Sequence, residues 1–97
     1  IQEKITSKTK AILPVHLYGQ TCQMDEINKI AKKYNLKVIE DSADTIGYTY
    51  KNKNFGKYSD VVTNSMYASH IITGAGSGGI VCFNDKKTYS DSINVNQ

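Results

Sequence analysis

Cysteine is scarce in this sequence, with only Cys22 and Cys82 in 97 residues. They stand far apart and lack the short spacing of a metal site or a disulfide framework. The expectation is two free thiols in a reducing cytoplasm. No apolar run is long enough to span a membrane, and no signal-peptide pattern opens the chain. Charge of one sign is not concentrated anywhere: the net charge is +3 and the lysines are scattered. That pattern describes a solvated surface, not a nucleic-acid footprint. There is no internal repeat and no low-complexity stretch. Proline occurs once, as Pro14, inside an apolar run where it weakens a central strand.

What is present is ordinary for a globular protein: 39% apolar and 22% charged residues. The length allows at most one domain. The chain opens at Ile1 and closes on Asp91-Ser92-Ile93-Asn94-Val95-Asn96-Gln97, which reads as a helix or the loop after it. These ends suggest a piece of a longer protein.

Residues 11–18, Ala-Ile-Leu-Pro-Val-His-Leu-Tyr, form a short apolar run stopped by Gly19, a buried-strand signal. Met24-Asp25-Glu26 places acids at a helix start. Ile27, Ile30, Ala31 and Tyr34 then fall at i, i+3, i+4 and i+7, one apolar face of a helix ended near Asn35. Residues 36–41 read as a second strand, which completes a βαβ unit with parallel strands. Residues 47–58 alternate aromatic and polar side chains around Lys51-Asn52-Lys53-Asn54 and predict a small surface hairpin. Residues 61–65 and 80–83 are a third and a fourth strand, the latter followed by Asn84-Asp85 as a helix cap. The fold class is therefore α/β.

In open α/β sheets chemistry gathers beyond the carboxyl ends of the strands. If the first three strands are parallel and adjacent, that rule selects His16 and Tyr18 after the first, Asp41 and Asp44 at the second, and Ser65 leading to His70 at the third. Each has a plain structural alternative. An aspartate at a strand end can cap the next turn, a serine can simply finish a strand, and a lone histidine can be a half-buried residue bonded to backbone. As a base, an imidazole can take and return a proton near neutral pH. Gly74-Ala75-Gly76-Ser77-Gly78-Gly79 fits G-x-G-x-x-G literally. The dinucleotide fingerprint, however, must follow a strand and open a helix, whereas these glycines precede a strand. Tyr48, Tyr50, Phe55 and Tyr58 are read as the packed face of the hairpin and not as stacking residues.

Three segments carry a resemblance: Ile39-Glu40-Asp41-Ser42-Ala43, the run from Asn64 to Gly74 containing Ser65 and His70, and the glycine turn after it. Together they resemble the DegT/StrS-type, pyridoxal-phosphate-dependent sugar aminotransferases, over roughly residues 11 to 85. The resemblance implies a fragment of the large three-layer α/β/α domain of a fold-type I (aspartate-aminotransferase-like) enzyme. On that reading residues 1–97 are part of one cofactor-binding domain, without its N-terminal part and without the C-terminal small domain. By the family pattern Asp41 pairs with the cofactor's pyridine nitrogen, Ser65 binds its phosphate, and Asp44 stands against its ring. Most of the family has a lysine where this chain has His70, and that lysine holds the cofactor as a Schiff base. Imidazole has no primary amine. His70, and an acid at Asp44 where transaminases usually show Gln or His, resemble the nucleotide-diphospho-4-keto-6-deoxyhexose 3-dehydratase branch.

That branch implies pyridoxamine 5′-phosphate held without a covalent bond, His70 as acid and base, and expulsion of the sugar's C3 hydroxyl in deoxysugar (lipopolysaccharide or O-antigen) biosynthesis. The alternatives are a nucleotide-sugar aminotransferase using pyridoxal 5′-phosphate and a non-catalytic sugar-nucleotide-binding relative. The implied partners are a nucleotide-diphospho sugar and a second copy of the chain in a homodimer, with no nucleic acid and no membrane. Some relatives of the dehydratase type carry an iron–sulfur cluster on cysteines beyond the region covered here, so that cofactor stays undetermined. No metal site is expected in this chain.

Overall fold

In the computed structural model, which describes residues 1–95, a four-stranded sheet has the order β1-β2-β5-β6. The strands are β1 (Ala11–Ile12), β2 (Lys37–Asp41), β5 (Val61–Ser65) and β6 (Gly79–Phe83). A separate two-stranded ribbon is made of β3 (Thr49–Tyr50) and β4 (Lys53–Asn54). The helices are α1 (Met24–Tyr34) and α2 (Lys86–Asn94), after a short 3-10 turn at Gln2–Lys4. β1, β2 and β5 are parallel and adjacent, as the strand-end rule required. β6 returns antiparallel to β5.

The first run is shorter as a strand than its apolar residues suggested. Regular pairing stops after Ile12 and resumes only as a single bridge, Val15 with Asp41. Pro14 lies between the two and has no N–H to give to the ladder. Its carbonyl still accepts from the Asp41 N–H at 3.0 Å, so the segment stays beside β2 without being a full strand.

α1 begins at Met24 and carries Asp25 and Glu26 in its first turn, where the helix dipole favours acids. It ends at Asn35, which takes the left-handed conformation (φ 53°, ψ 46°) that asparagine adopts more readily than most residues. Met24, Ile27 and Ala31 are buried and form the core with Val38. Ile30 is half-buried, and Tyr34, at the helix end, is exposed. The aromatic ribbon closes over the same core: Tyr50 and Tyr58 pack against it in an edge-on pair at 5.7 Å. Lys51 and Asn52 turn the ribbon with positive φ at both positions, the geometry that suits a tight hairpin. Tyr50 also donates to Asp25 at 2.6 Å, which ties the ribbon to the start of α1. Tyr50 and Tyr58 thus pack as expected, and Tyr48 and Phe55 meet each other at 5.9 Å. α2 is capped by Asp85, whose carboxylate accepts from the Thr88 N–H at 2.7 Å.

Alternation along the strands divides the sheet into two unlike faces. Val38, Glu40 and Val62 point towards α1 and the ribbon and are buried. Ile39, Asp41, Thr63 and Ser65 point to the other face, because Ile39 pairs with Val61 and Asp41 with Thr63. On that face Leu13, Val15, Leu17 and Val81 are exposed.

Candidate active site

Asp41 closes β2 on the open face. Its backbone is held on both sides: the N–H donates to Pro14, and the carbonyl accepts from the His16 N–H at 3.1 Å. Its Oδ1 accepts from the Ala43 N–H at 3.1 Å, a local Asx turn. That turn fixes the carboxylate's direction, and no hydrogen bond to Oδ2 occurs among the described residues. Ser65 ends β5 on the same face, two residues beyond Thr63, the register partner of Asp41. Its Oγ accepts from the Tyr67 N–H at 3.2 Å, which leaves the hydroxyl proton able to point outward to an acceptor.

The chain then turns through residues 66–78. His70 sits in this connection with its N–H bonded to the Tyr67 carbonyl at 2.9 Å. Its Nδ1 lies 3.3 Å from Asp44 Oδ1, so two sequence candidates from different connections are brought together. Both are partly exposed, His70 at 24% and Asp44 at 42% of the side chain. The glycine run lies, as expected, before β6 and does not open a helix. Gly74 donates to Met66, Met66 donates to Gly78, and a Cβ on Gly74 would stand 2.8 Å from the Ser77 carbonyl oxygen. The turn is closed by backbone approach, which glycine alone permits.

His16 and Tyr18 do not join this edge. Tyr18 is 93% exposed. His16 is 1% exposed and faces the opposite side of the sheet, into a polar network that the strand-end rule could not foresee. The centre of the network is Glu40, fully buried. Glu40 accepts from Tyr48 Oη at 2.5 Å, from Ser59 Oγ at 2.8 Å, from the Gly56 N–H at 3.2 Å and from His16 Nε2 at 3.2 Å. The Cys22 N–H donates to His16 Nδ1 at 3.0 Å, which places the imidazole proton on Nε2, facing Glu40. Burial pushes the Glu40 carboxyl up, but the hydrogen bonds from Tyr48, Ser59 and His16 outweigh it and hold the group below the ordinary range. Burial, with the hydrogen bond to Glu40, pushes the Tyr48 phenol well above its usual value. The signal for Glu40 was present in the sequence. An acid at an alternation position shared with Val38 must point into the core, and a buried carboxylate must find donors.

The donor set on the open face suits pyridoxal or pyridoxamine phosphate. It offers a fixed carboxylate with one oxygen uncommitted and a hydroxyl with a proton to give, and the connection after Ser65 adds the imidazole of His70 beside Asp44. Among the described residues no group of three or more His, Cys, Asp or Glu could hold a metal ion, and no helix is long and apolar enough to cross a membrane. Cys22 and Cys82 are both free thiols.

Residues 1–95 match the model of the DegT/DnrJ/EryC1/StrS aminotransferase family. The chain is 48% identical over 85 residues to a GDP-perosamine synthase of Caulobacter vibrioides, covering 88% of this chain and 23% of that protein. It is 50% identical over 95 residues to a dTDP-3-amino-3,6-dideoxy-alpha-D-galactopyranose transaminase of Aneurinibacillus thermoaerophilus, covering 98% and 26%. Among solved structures it resembles ntda of Bacillus subtilis with bound PMP, with a TM-score of 0.82 and 41% identity over 90% of this chain and 19% of that one. It also resembles the E. coli GDP-4-keto-6-deoxy-D-mannose-3-dehydratase with bound hydrated PLP, with a TM-score of 0.79 and 35% identity over 95% and 23%. The chain thus spans about a quarter of the length of the curated relatives it matches, and its α/β architecture is a part of the fold-type I aminotransferase domain. It belongs to the DegT/DnrJ/EryC1/StrS aminotransferase family.

Proposed function

We propose that the whole protein is an enzyme that transforms a nucleotide-linked sugar with pyridoxal or pyridoxamine 5′-phosphate. The support is the family match together with relatives and solved neighbours named for nucleotide sugars, PMP and PLP. Amino transfer to a keto sugar is the reaction with more support, because the relatives' names are mostly those of transaminases and aminosugar synthases. Dehydration at C3 of a 4-keto-6-deoxyhexose is the second reading, and one feature of this chain favours it. Its candidate base is His70, held by Asp44, and an imidazole cannot form the covalent link that a lysine makes. A 3-dehydratase is also among the solved neighbours.

When bound, the cofactor supplies a protonated ring that stores an electron pair as bonds at the sugar break. Asp41 would pair with that ring's nitrogen and keep it protonated, using the carboxylate oxygen its own turn leaves uncommitted. The Ser65 hydroxyl donates to the phosphate. His70 would take a proton and return it, with the Asp44 carboxylate 3.3 Å from its Nδ1. These steps serve amino transfer or dehydration equally. In the second reading the proton returned by His70 goes to the leaving C3 hydroxyl. We place the whole protein in the cytoplasm as a homodimer, in deoxysugar biosynthesis.

The test is to load the whole protein with pyridoxamine phosphate, offer nucleotide 4-keto-6-deoxyhexoses with glutamate, and weigh the product. A sugar with a new amine and its C3 oxygen retained establishes amino transfer. A sugar that has lost the C3 oxygen and kept a ketone establishes dehydration. No turnover with cofactor bound would refute both and favour a binding protein.

A further inference from the structure

We infer that the buried Glu40–His16–Tyr48 network is a positioning device for Asp41. The inference rests on the reading of Asp41 as the partner of the cofactor's ring nitrogen. Glu40 and Asp41 are neighbours on β2 whose side chains leave opposite faces, so any action of one on the other must pass through the backbone. The route is visible. The Asp41 N–H and C=O are bonded to Pro14 and to the His16 N–H. This segment has lost regular pairing at Pro14, and its strand is only two residues long. Beyond Ile12 the ladder keeps its register only through the single Val15–Asp41 bridge. A side chain adds to that hold: His16, bonded at Nε2 to Glu40 and at Nδ1 by the Cys22 N–H. Glu40 is in turn fixed from the ribbon by Tyr48, Gly56 and Ser59. The next residue, Ser42, is fully buried and repeats the pattern, its Oγ donating to Glu40 at 3.3 Å and its N–H to the Thr63 carbonyl at 2.9 Å. The peptide units on both sides of the Asp41 side chain are thus tied to Glu40, and the carboxylate's place on the open face is set from the closed one.

The experiment uses the whole protein with cofactor bound and three variants: Asp41→Asn as the control, Glu40→Gln, and Tyr48→Phe. Tyr48→Phe keeps the ring packing and the Glu40 charge and removes the hydroxyl's two contacts, to Glu40 and to His16 Nε2. Circular dichroism and the melting curve establish that each is folded, and Tyr48→Phe decides if Glu40→Gln is not. The readouts are the pH at which the absorption of the ring-protonated cofactor is lost, and kcat and KM for the sugar separately. The expected result is that Glu40→Gln and Tyr48→Phe lower that pH in the same direction as Asp41→Asn. kcat should fall on the order of 10-fold, since a displacement of ~1 Å can cost about 100-fold, with KM little changed. A folded Tyr48→Phe with wild-type spectrum and kcat, beside an altered Asp41→Asn, would overturn the positioning role and leave Asp41's own role standing. An unaltered Asp41→Asn would overturn both.

Discussion

Gly56 is the position where a single methyl group tests the packing of the whole closed face. Its φ is +83°, and a Cβ there would stand 2.8 Å from Cγ2 of Val62. Val62 is 5% exposed in the middle of β5, paired with Glu40 on one side and Cys82 on the other. A β-branched side chain in that place has little freedom to turn away. Gly56→Ala therefore combines a left-handed backbone cost of about 1–2 kcal/mol with overpacking of about 1–3 kcal/mol. The sum is a loss of about 2–5 kcal/mol, large for one methyl group. The two parts can be separated with Val62→Ala, which removes the colliding methyl and leaves the backbone cost untouched. In a double-mutant cycle on the whole protein, followed by denaturant unfolding, Gly56→Ala should cost about 1–3 kcal/mol less in the Val62→Ala background. Strict additivity would refute the collision, and a Gly56→Ala protein as stable as the wild type would refute both parts of the reasoning.

Two further outcomes follow from the site and its support. His70→Asn should lower turnover by roughly 100- to 10,000-fold, the range of a lost acid–base group, while equilibrium dialysis still finds cofactor bound; retained turnover would remove His70 from the chemistry. The folded-state pKa of Glu40 is depressed, so its contribution to stability is fully present above the unfolded carboxyl range and is lost as pH falls through the depressed value. Acid unfolding followed by circular dichroism should accordingly lose part of its pH dependence in Glu40→Gln, and an unchanged acid limb would refute the network's role in stability.

The sequence by itself determined the elements whose signals are local. α1 was legible from Ile27, Ile30, Ala31 and Tyr34 because helical spacing is a property of neighbours along the chain, and its end at Asn35 because that residue tolerates the left-handed turn. The placement of two of the strand-end candidates was legible in the same way. Asp41 and Ser65 come out on one face because a two-residue period and parallel pairing leave no other choice. Tertiary structure decided what depends on partners far apart in sequence. It shortened the first strand where Pro14 has no proton to donate, and it brought His70 to Asp44 across 26 positions of chain. It also turned His16 away from the site into a buried pair with Glu40. A residue's place in a strand fixes which way it points, but only the helix and ribbon folded over that face decide whether it meets water, a cofactor or another charge.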